Sequence, residues 1–316
     1  MRVLITGSSG QIGTNLGLAL LEQGHDVLGL DNRPNSWTAE LPTRHLDLAT
    51  PLPARRLGLG DVETGPLDAI VHLAAHAKVH ALVERPLGAL ENHTMVTNAL
   101  ELGRLSGVPV LLASSREVYG NLSAGRPIPE SAADFRAAPS PYAAMKLASE
   151  ALAAAYRRCY GLPFAVIRFS NVYGRYDNDL PRLERAIWIF RRQILRGEPV
   201  TVFGADKTLD FTYVEDAVDG LLRCLQRLVS RDAAVDGETF NLAYGEGRRL
   251  VDVVTLIAGA LDRPVQMHLQ PARAGEVTWY VADLDKARRA LGYNPRVSAE
   301  EGIDRAMRWA DSRLPA

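Results

Sequence analysis

Tyr142 and Lys146 lie four residues apart in a segment of helical pattern, so the two side chains project from one face, one turn apart. A phenol with a pKa of ~10 is a poor base near neutrality. A neighbouring ammonium favours the phenolate and makes it usable. The choice of lysine is informative, because the chain has four lysines, Lys78, Lys146, Lys207 and Lys286, against 32 arginines. Lysine supplies a compact, tunable point charge that the planar guanidinium fork does not. Upstream, Ala113-Ser114-Ser115-Arg116-Glu117-Val118-Tyr119-Gly120 closes an apolar strand pattern. Carboxyl ends of parallel strands are where open α/β sheets place their chemistry, so Ser115 can hydrogen-bond a substrate hydroxyl beside Tyr142. A serine pair alone is usually only a strand-to-loop cap.

A second constellation sits at the amino end. The apolar run Arg2–Thr6 leads straight into Gly7-Ser8-Ser9-Gly10-Gln11-Ile12-Gly13 and then an apolar helical pattern. A glycine-rich turn at a helix N-terminus lets backbone N–H groups and the positive helix end approach a pyrophosphate. The spacing G-x-x-G-x-x-G departs from the commonest dinucleotide fingerprint, but the context supports it. Asp31, in Asp31-Asn32-Arg33-Pro34, ends the next strand pattern, where a carboxylate can accept hydrogen bonds from an adenosine ribose and would repel a 2′-phosphate. NAD is therefore favoured over NADP, with Arg33 leaving NADP open.

The elements that must position these residues follow an alternating rhythm. Strand patterns at Arg2–Thr6, Asp26–Leu30, Ala69–Leu73, Val110–Ala113 and Phe164–Phe169 alternate with helical patterns. The helices are expected at Ile12–Gln23, at His80–Ser106 with Pro86 as a point of interruption, and at Pro141–Tyr160. The last has a clear start and stop: Ser140 can cap, Pro141 suits the first helical position, and Gly161 with Pro163 ends it. This is the signature of βαβ units building a parallel sheet covered on both faces. Beyond Phe169 come a loop-rich stretch Asn171–Pro181, a helix Arg182–Arg196, a strand Val200–Phe203 and a helix from Val214. Further helices are expected at Asp252–Leu261, Asp285–Leu291 and Ala299–Ala310, around a strand-like Val265–Leu269.

The composition sets outer bounds. The chain has 316 residues, 47% hydrophobic and 23% charged, with 36 basic and 37 acidic side chains for a net charge of −1. That balance argues against nucleic acid as a partner. No window approaches a membrane span, and the start lacks the features of a signal peptide. Cys159 and Cys224 imply neither a disulfide framework nor a zinc site, which fits a reducing cytoplasm. His72, His76 and His80 recur every four residues, but His72 falls at a strand end; no metal is expected, and His72 is assigned a hydrogen bond to backbone.

Together, Gly7-x-x-Gly10-x-x-Gly13, His72-Leu73-Ala74-Ala75, Ser114-Ser115-x-x-Val118-Tyr119-Gly120, Tyr142-x-x-x-Lys146 and Arg168-Phe169-Ser170-Asn171-Val172-Tyr173-Gly174 resemble the extended short-chain dehydrogenase/reductase family of nucleotide-sugar epimerases and dehydratases. Asp210-Phe211-x-Tyr213-Val214, Asn241-Leu242 and Gly275-Glu276 with Ala282-Asp283 continue the pattern in order. The resemblance implies a Rossmann-type doubly wound parallel sheet, an α/β fold with a smaller α/β substrate domain. On this pattern residues 1–170 with 214–245 hold NAD, and 171–213 with 246–316 hold the nucleotide sugar. Tyr142 would take the sugar hydroxyl proton, Ser115 would share its hydrogen bond, and Lys146 would also hold the nicotinamide ribose. Gly7, Gly10, Gln11, Ile12, Gly13, Asp31, Asn32, Asp47, Leu48, Leu73, Ala74 and Ala75 would line the cofactor. Lys78, Ser115, Arg116, Asn171 and Arg273 would contact substrate, Arg273 as the diphosphate clamp. The helices His80–Ser106 and Pro141–Tyr160 resemble a pair that forms a homodimer interface.

Two departures bear on the reaction. Many relatives carry Arg where this chain has Leu209, so one phosphate contact is missing or is supplied elsewhere, with Lys207 a candidate. Arg116 replaces the acid of sugar 4,6-dehydratases, which argues against that activity. The expected function is an NAD-dependent 4-epimerase of a nucleotide sugar, UDP-linked for preference, acting through a transient 4-keto intermediate. Two alternatives stand beside it: a dehydratase or glucuronate decarboxylase using Glu117 as an additional base, and a non-catalytic NAD-binding regulatory protein.

Overall fold

The computed structural model describes residues 1–52, 66–122, 125–177, 185–273 and 275–313. Among them the strands are β1 (Arg2–Thr6), β2 (Asp26–Asp31), β3 (Thr43–His45), β4 (Ala69–His72), β5 (Val110–Ser115), β6 (Phe164–Phe169), β7 (Asn171–Tyr173), β8 (Val200–Phe203), β9 (Thr208–Tyr213), β10 (Thr239–Leu242), β11 (Gly247–Arg249), β12 (Met267–Gln270) and β13 (Trp279–Tyr280). Seven of them form one parallel sheet in the order β10-β6-β5-β4-β1-β2-β3.

Why this sheet must be covered on both faces is visible in β1. Val3 and Ile5 join one core with Leu16 and Leu20 of the Gln11–Glu22 helix and Leu221 and Leu225 of the Val214–Val229 helix. Leu4 joins a second core with Val96 and Leu100 of the Leu87–Ser106 helix and Ala153 of the Pro141–Tyr160 helix. Successive side chains of a strand point to opposite faces, so an unbroken apolar run demands helices above and below. The chain runs outward through β2 and β3, then crosses to β4 on the other side of β1. This reversal opens a crevice at the carboxyl ends of β1 and β4, the place where open α/β sheets bind ligands.

The Pro141–Tyr160 helix has the predicted ends. The Ser140 hydroxyl accepts from Ala143 N–H at 3.3 Å, and Gly161 adopts φ 67° while its N–H donates to Arg157 O. The predicted Ile12–Gln23 helix is displaced by one residue at each end. The His80–Ser106 pattern is two helices, Val79–Glu84 and Leu87–Ser106, parted at Arg85 and Pro86. The loop expected from Asn171 opens with β7, which pairs with β9 beside β11 and β13 in a smaller sheet. β12 pairs with β8 two residues later than the strand-like Val265–Leu269 suggested. The helix predicted over Arg182–Arg196 spans Ala186–Leu195; residues 182–184 lie outside the described residues. No helix among the described residues is long and apolar enough to cross a membrane.

Candidate active site

The crevice is a cavity of about 1400 Å³. Pockets for one drug-sized ligand hold roughly 300–1,000 Å³, so this one has room for two bound molecules side by side. Gly7, Gly10, Gln11, Ile12, Gly13, Asp31, Asn32, Asp47, Leu48, Leu73, Ala74 and Ala75 all line it, as do Lys78, Ser115, Arg116, Glu117, Tyr142, Lys146 and Asn171.

The glycine turn is built by close approaches. Gly7 has φ +73°, and a Cβ there would lie 2.6 Å from Ala74 N, so this glycine lets the turn press against the chain leaving β4. A Cβ on Gly13 would lie 2.2 Å from Gly7 O. The Gln11–Glu22 helix therefore starts hard against the turn, with its unpartnered first N–H groups and its positive end at the cavity. The Asp31 carboxylate accepts from Ser9 N–H at 2.9 Å and lies 3.9 Å from Arg33 Nε. Burial raises its pKa, with those neighbours opposing. Asp47 holds its own turn by accepting from Ala49 N–H at 2.9 Å. A turn that only glycine can occupy, a helix N-terminus and a carboxylate at the end of β2 fit the pyrophosphate and ribose of a dinucleotide.

The reacting group is assembled at the end of β5. Tyr142 and Lys146 are 7% and 5% exposed, and Lys146 Nζ sits 5.8 Å from the Tyr142 ring centroid. Lys146 Nζ donates to Ala113 O at 2.8 Å, which ties the helix to β5. Burial pushes the Lys146 ammonium down to about 8, with the Glu150 carboxylate opposing. Burial pushes the Tyr142 phenol up to about 12; a hydrogen bond with Ser115 lowers it and the Glu117 charge raises it. Without a bound cation the phenol is thus held protonated. Ser115 Oγ also accepts from Glu117 N–H at 3.2 Å, and Glu117 Oε1 lies 2.9 Å from Arg116 Nη2.

Beneath this surface lies a network that sequence reading passed over. Glu150, four residues beyond Lys146, accepts from Arg168 Nε at 3.0 Å, from Arg168 Nη2 at 2.6 Å and from Ser114 Oγ at 2.5 Å. Arg168 Nη1 donates to Tyr119 Oη, which donates to Asn241 Oδ1 at 2.6 Å. The catalytic helix is thereby bonded to β5, β6 and β10 at once. Its signal was faint: Arg168 is a charged residue inside an otherwise apolar strand, and such a residue needs a buried partner.

Three expectations are corrected. Arg273 does not line the cavity; its guanidinium stacks 3.9 Å from the Phe203 ring centroid and its N–H donates to Glu276. Lys207 does not replace the missing arginine, because it is buried against the Glu276 carboxylate, while Leu209 is core. His72 bonds the Thr6 side chain at 2.8 Å rather than backbone, and burial pushes it down to about 3, so its ring is neutral. His76 pairs with Glu91 and His80 with Glu84. Among the cations that sequence reading missed on the cavity wall is Arg185. It donates to Val172 O at 2.8 Å and pairs with Asp177 at 2.9 Å. One arginine of 32 at a helix start carries no spacing signal. Asn171 lines the cavity while its amide donates to Asp210 O at 3.0 Å.

Comparison with known proteins agrees with this geometry. The family described as "NAD dependent epimerase/dehydratase family" matches residues 3–243. A UDP-glucuronate 4-epimerase of Thermodesulfobacterium geofontis is 30% identical, over 98% of this chain and 96% of the relative. A UDP-glucose 4-epimerase of Mycolicibacterium smegmatis is 31% identical, over 98% of each. The crystal structure of the Thermus thermophilus UDP-glucose 4-epimerase complex with NAD superimposes with a TM-score of 0.87 at 28% identity, over 99% of this chain and 100% of that one.

Proposed function

Because the chain belongs to the NAD dependent epimerase/dehydratase family, we propose that it inverts C4 of a UDP-linked sugar through a transient 4-keto intermediate, with NAD as cofactor. The observation that carries this reading is the meeting of Ser115, Tyr142 and Lys146 with the glycine turn in one cavity. A bound nicotinamide supplies acceptance and return of a hydride at the sugar carbon. Gly7, Gly10, Gly13 and Asp31 would hold that cofactor.

Every other duty falls to side chains of this chain. Tyr142 Oη takes the proton from the sugar C4 hydroxyl as the carbon is oxidised and gives it back as the ketone is reduced. Ser115 Oγ hydrogen-bonds the same oxygen and fixes its direction. Lys146, charged and one turn away, favours the phenolate that burial and the Glu117 charge oppose. Arg116 Nη2 holds Glu117 Oε1 at 2.9 Å, so the carboxylate is committed to an ion pair beside Tyr142. That pairing favours epimerisation over dehydration or decarboxylation.

The same reading makes the chain a cytoplasmic homodimer. In its support, Leu87 and Leu90 are 75% and 57% exposed and Tyr160 is 59% exposed, on the two helices named above, an apolar surface that a second copy would cover. Turnover of UDP-glucose by the wild type and by Tyr142→Phe tests the catalytic assignment. Loss of turnover with cofactor still bound is expected, and unchanged turnover would overturn it.

A further inference from the structure

Beside Tyr142 stands an ion pair in which each partner leaves one polar atom unused. Arg116 and Glu117 begin the short 3-10 turn Arg116–Tyr119 after β5 and are 9% and 6% exposed. Arg116 Nη2 and Glu117 Oε1 meet at 2.9 Å, and the guanidinium lies 6.0 Å from the Tyr280 ring centroid. Arg116 Nη1 and Glu117 Oε2 are buried with no hydrogen-bond partner among the described residues. One is a donor and the other an acceptor. Buried polar atoms are nearly always paired, because leaving one unpaired forfeits its hydration for nothing. Two such atoms of opposite kind on one ion pair, on residues that line a cavity, ask for a ligand group that is both acceptor and donor.

The position of the pair says which part of the ligand that is. Both residues line the cavity that contains Ser115 and Tyr142. Glu117 is bonded through its N–H to the Ser115 hydroxyl. A substrate whose C4 hydroxyl reaches Ser115 and Tyr142 therefore brings the substituent of a neighbouring ring carbon towards Arg116 and Glu117. Resting on the function proposed above, we propose that Arg116 and Glu117 form a specificity-determining pair that reads a neutral hydroxyl beside the reacting carbon, selecting a hexose over a hexuronate.

The chemistry separates the candidates. A primary hydroxyl accepts from Nη1 and donates to Oε2 together. A carboxylate only accepts; it meets Oε2 as a like charge, and Glu117 already balances the guanidinium. A substrate with only hydrogen at that place leaves both atoms unpaired, and sites built around a substrate hydroxyl reject the analogue that lacks it strongly. The pair thus acts by repelling one rival and by going unsatisfied with the other.

The test compares kcat/KM for UDP-glucose, UDP-glucuronate and UDP-xylose, which differ only in carrying CH2OH, carboxylate or hydrogen on C5. UDP-glucose is expected to exceed each of the others by at least about 100-fold. Glu117→Gln, which removes the repelling charge, is expected to narrow the glucose-to-glucuronate ratio about 10-fold or more while leaving the glucose-to-xylose ratio closer to its original value. UDP-glucuronate matching or exceeding UDP-glucose in the wild type would overturn the pairing alone. So would a Glu117→Gln change that scales all three sugars equally, as a merely structural role would. Absence of turnover with all three would overturn the epimerase reading, and the pairing with it.

Discussion

Lys146 Nζ donates a 2.8 Å hydrogen bond to Ala113 O, so the ammonium is anchored to the strand whose end carries Ser115, one helical turn from the Tyr142 ring. The anchor explains why this position carries lysine in an arginine-rich chain. A 5% exposed site that holds a single point charge has no room for five guanidinium donors. Lys146→Arg is expected to lower kcat by roughly 10²–10⁴-fold, the range for a displaced acid–base apparatus. Steady-state kinetics beside a thermal melt checks this, because a loss of activity without a matching loss of Tm assigns the effect to chemistry.

Asp31 is proposed to discriminate between the two cofactors. Its carboxylate accepts from Ser9 N–H at 2.9 Å and would oppose a 2′-phosphate at the end of β2, while Arg33 beside it donates to Ser9 O at 2.9 Å. Asp31→Asn keeps an acceptor for Ser9 and removes the charge. The preference for NAD over NADP should fall by at least about 10-fold, a differential interaction of about 1.4 kcal/mol, as read by cofactor titration.

Gly13→Ala would place a methyl 2.2 Å from Gly7 O, which only a movement of the turn can relieve. Overpacking of this kind costs about 1–3 kcal/mol. A lower Tm together with weaker NAD binding is expected, measured by thermal melts with and without cofactor.

Asp210 gives a pH signature. Its buried carboxyl accepts from the N–H groups of Tyr244 and Gly245, both at 2.9 Å, and of Ala282 at 3.3 Å. Burial nevertheless pushes it up to about 7 from 3.8. A folded-state pKa above the unfolded one means that the native state binds the proton more tightly between those values. The stability this contributes is therefore present below about pH 4 and is lost as pH rises through about 7. Denaturant titrations of the wild type and Asp210→Asn at pH 4.5 and pH 7.5 should show the wild type's relative advantage shrinking at the higher pH.

The sequence was most legible where local signals bracket an element. Ser140, Pro141 and Gly161 mark both ends of the catalytic helix, and β1, β6 and β8 match their apolar runs to the residue. Strands of two or three residues, β3, β7, β11 and β13, carry no periodicity to detect and exist because a neighbouring strand pairs with them. The same holds for charges. Lys146 was legible because its partner is four residues away. The destinations of Arg273 and Lys207 are decided by Phe203 and Glu276, and Arg185 is held at the cavity by Val172 O of β7 and by Asp177.

The fate of the sugar hydrogens separates C4 inversion from its rivals most directly. Proton NMR of UDP-glucose incubated with the NAD-loaded enzyme in deuterated water should show inversion at C4 with no deuterium at C5, because Tyr142 exchanges only the hydroxyl proton. Deuterium appearing at C5, or consumption of the sugar without C4 inversion, would contradict it.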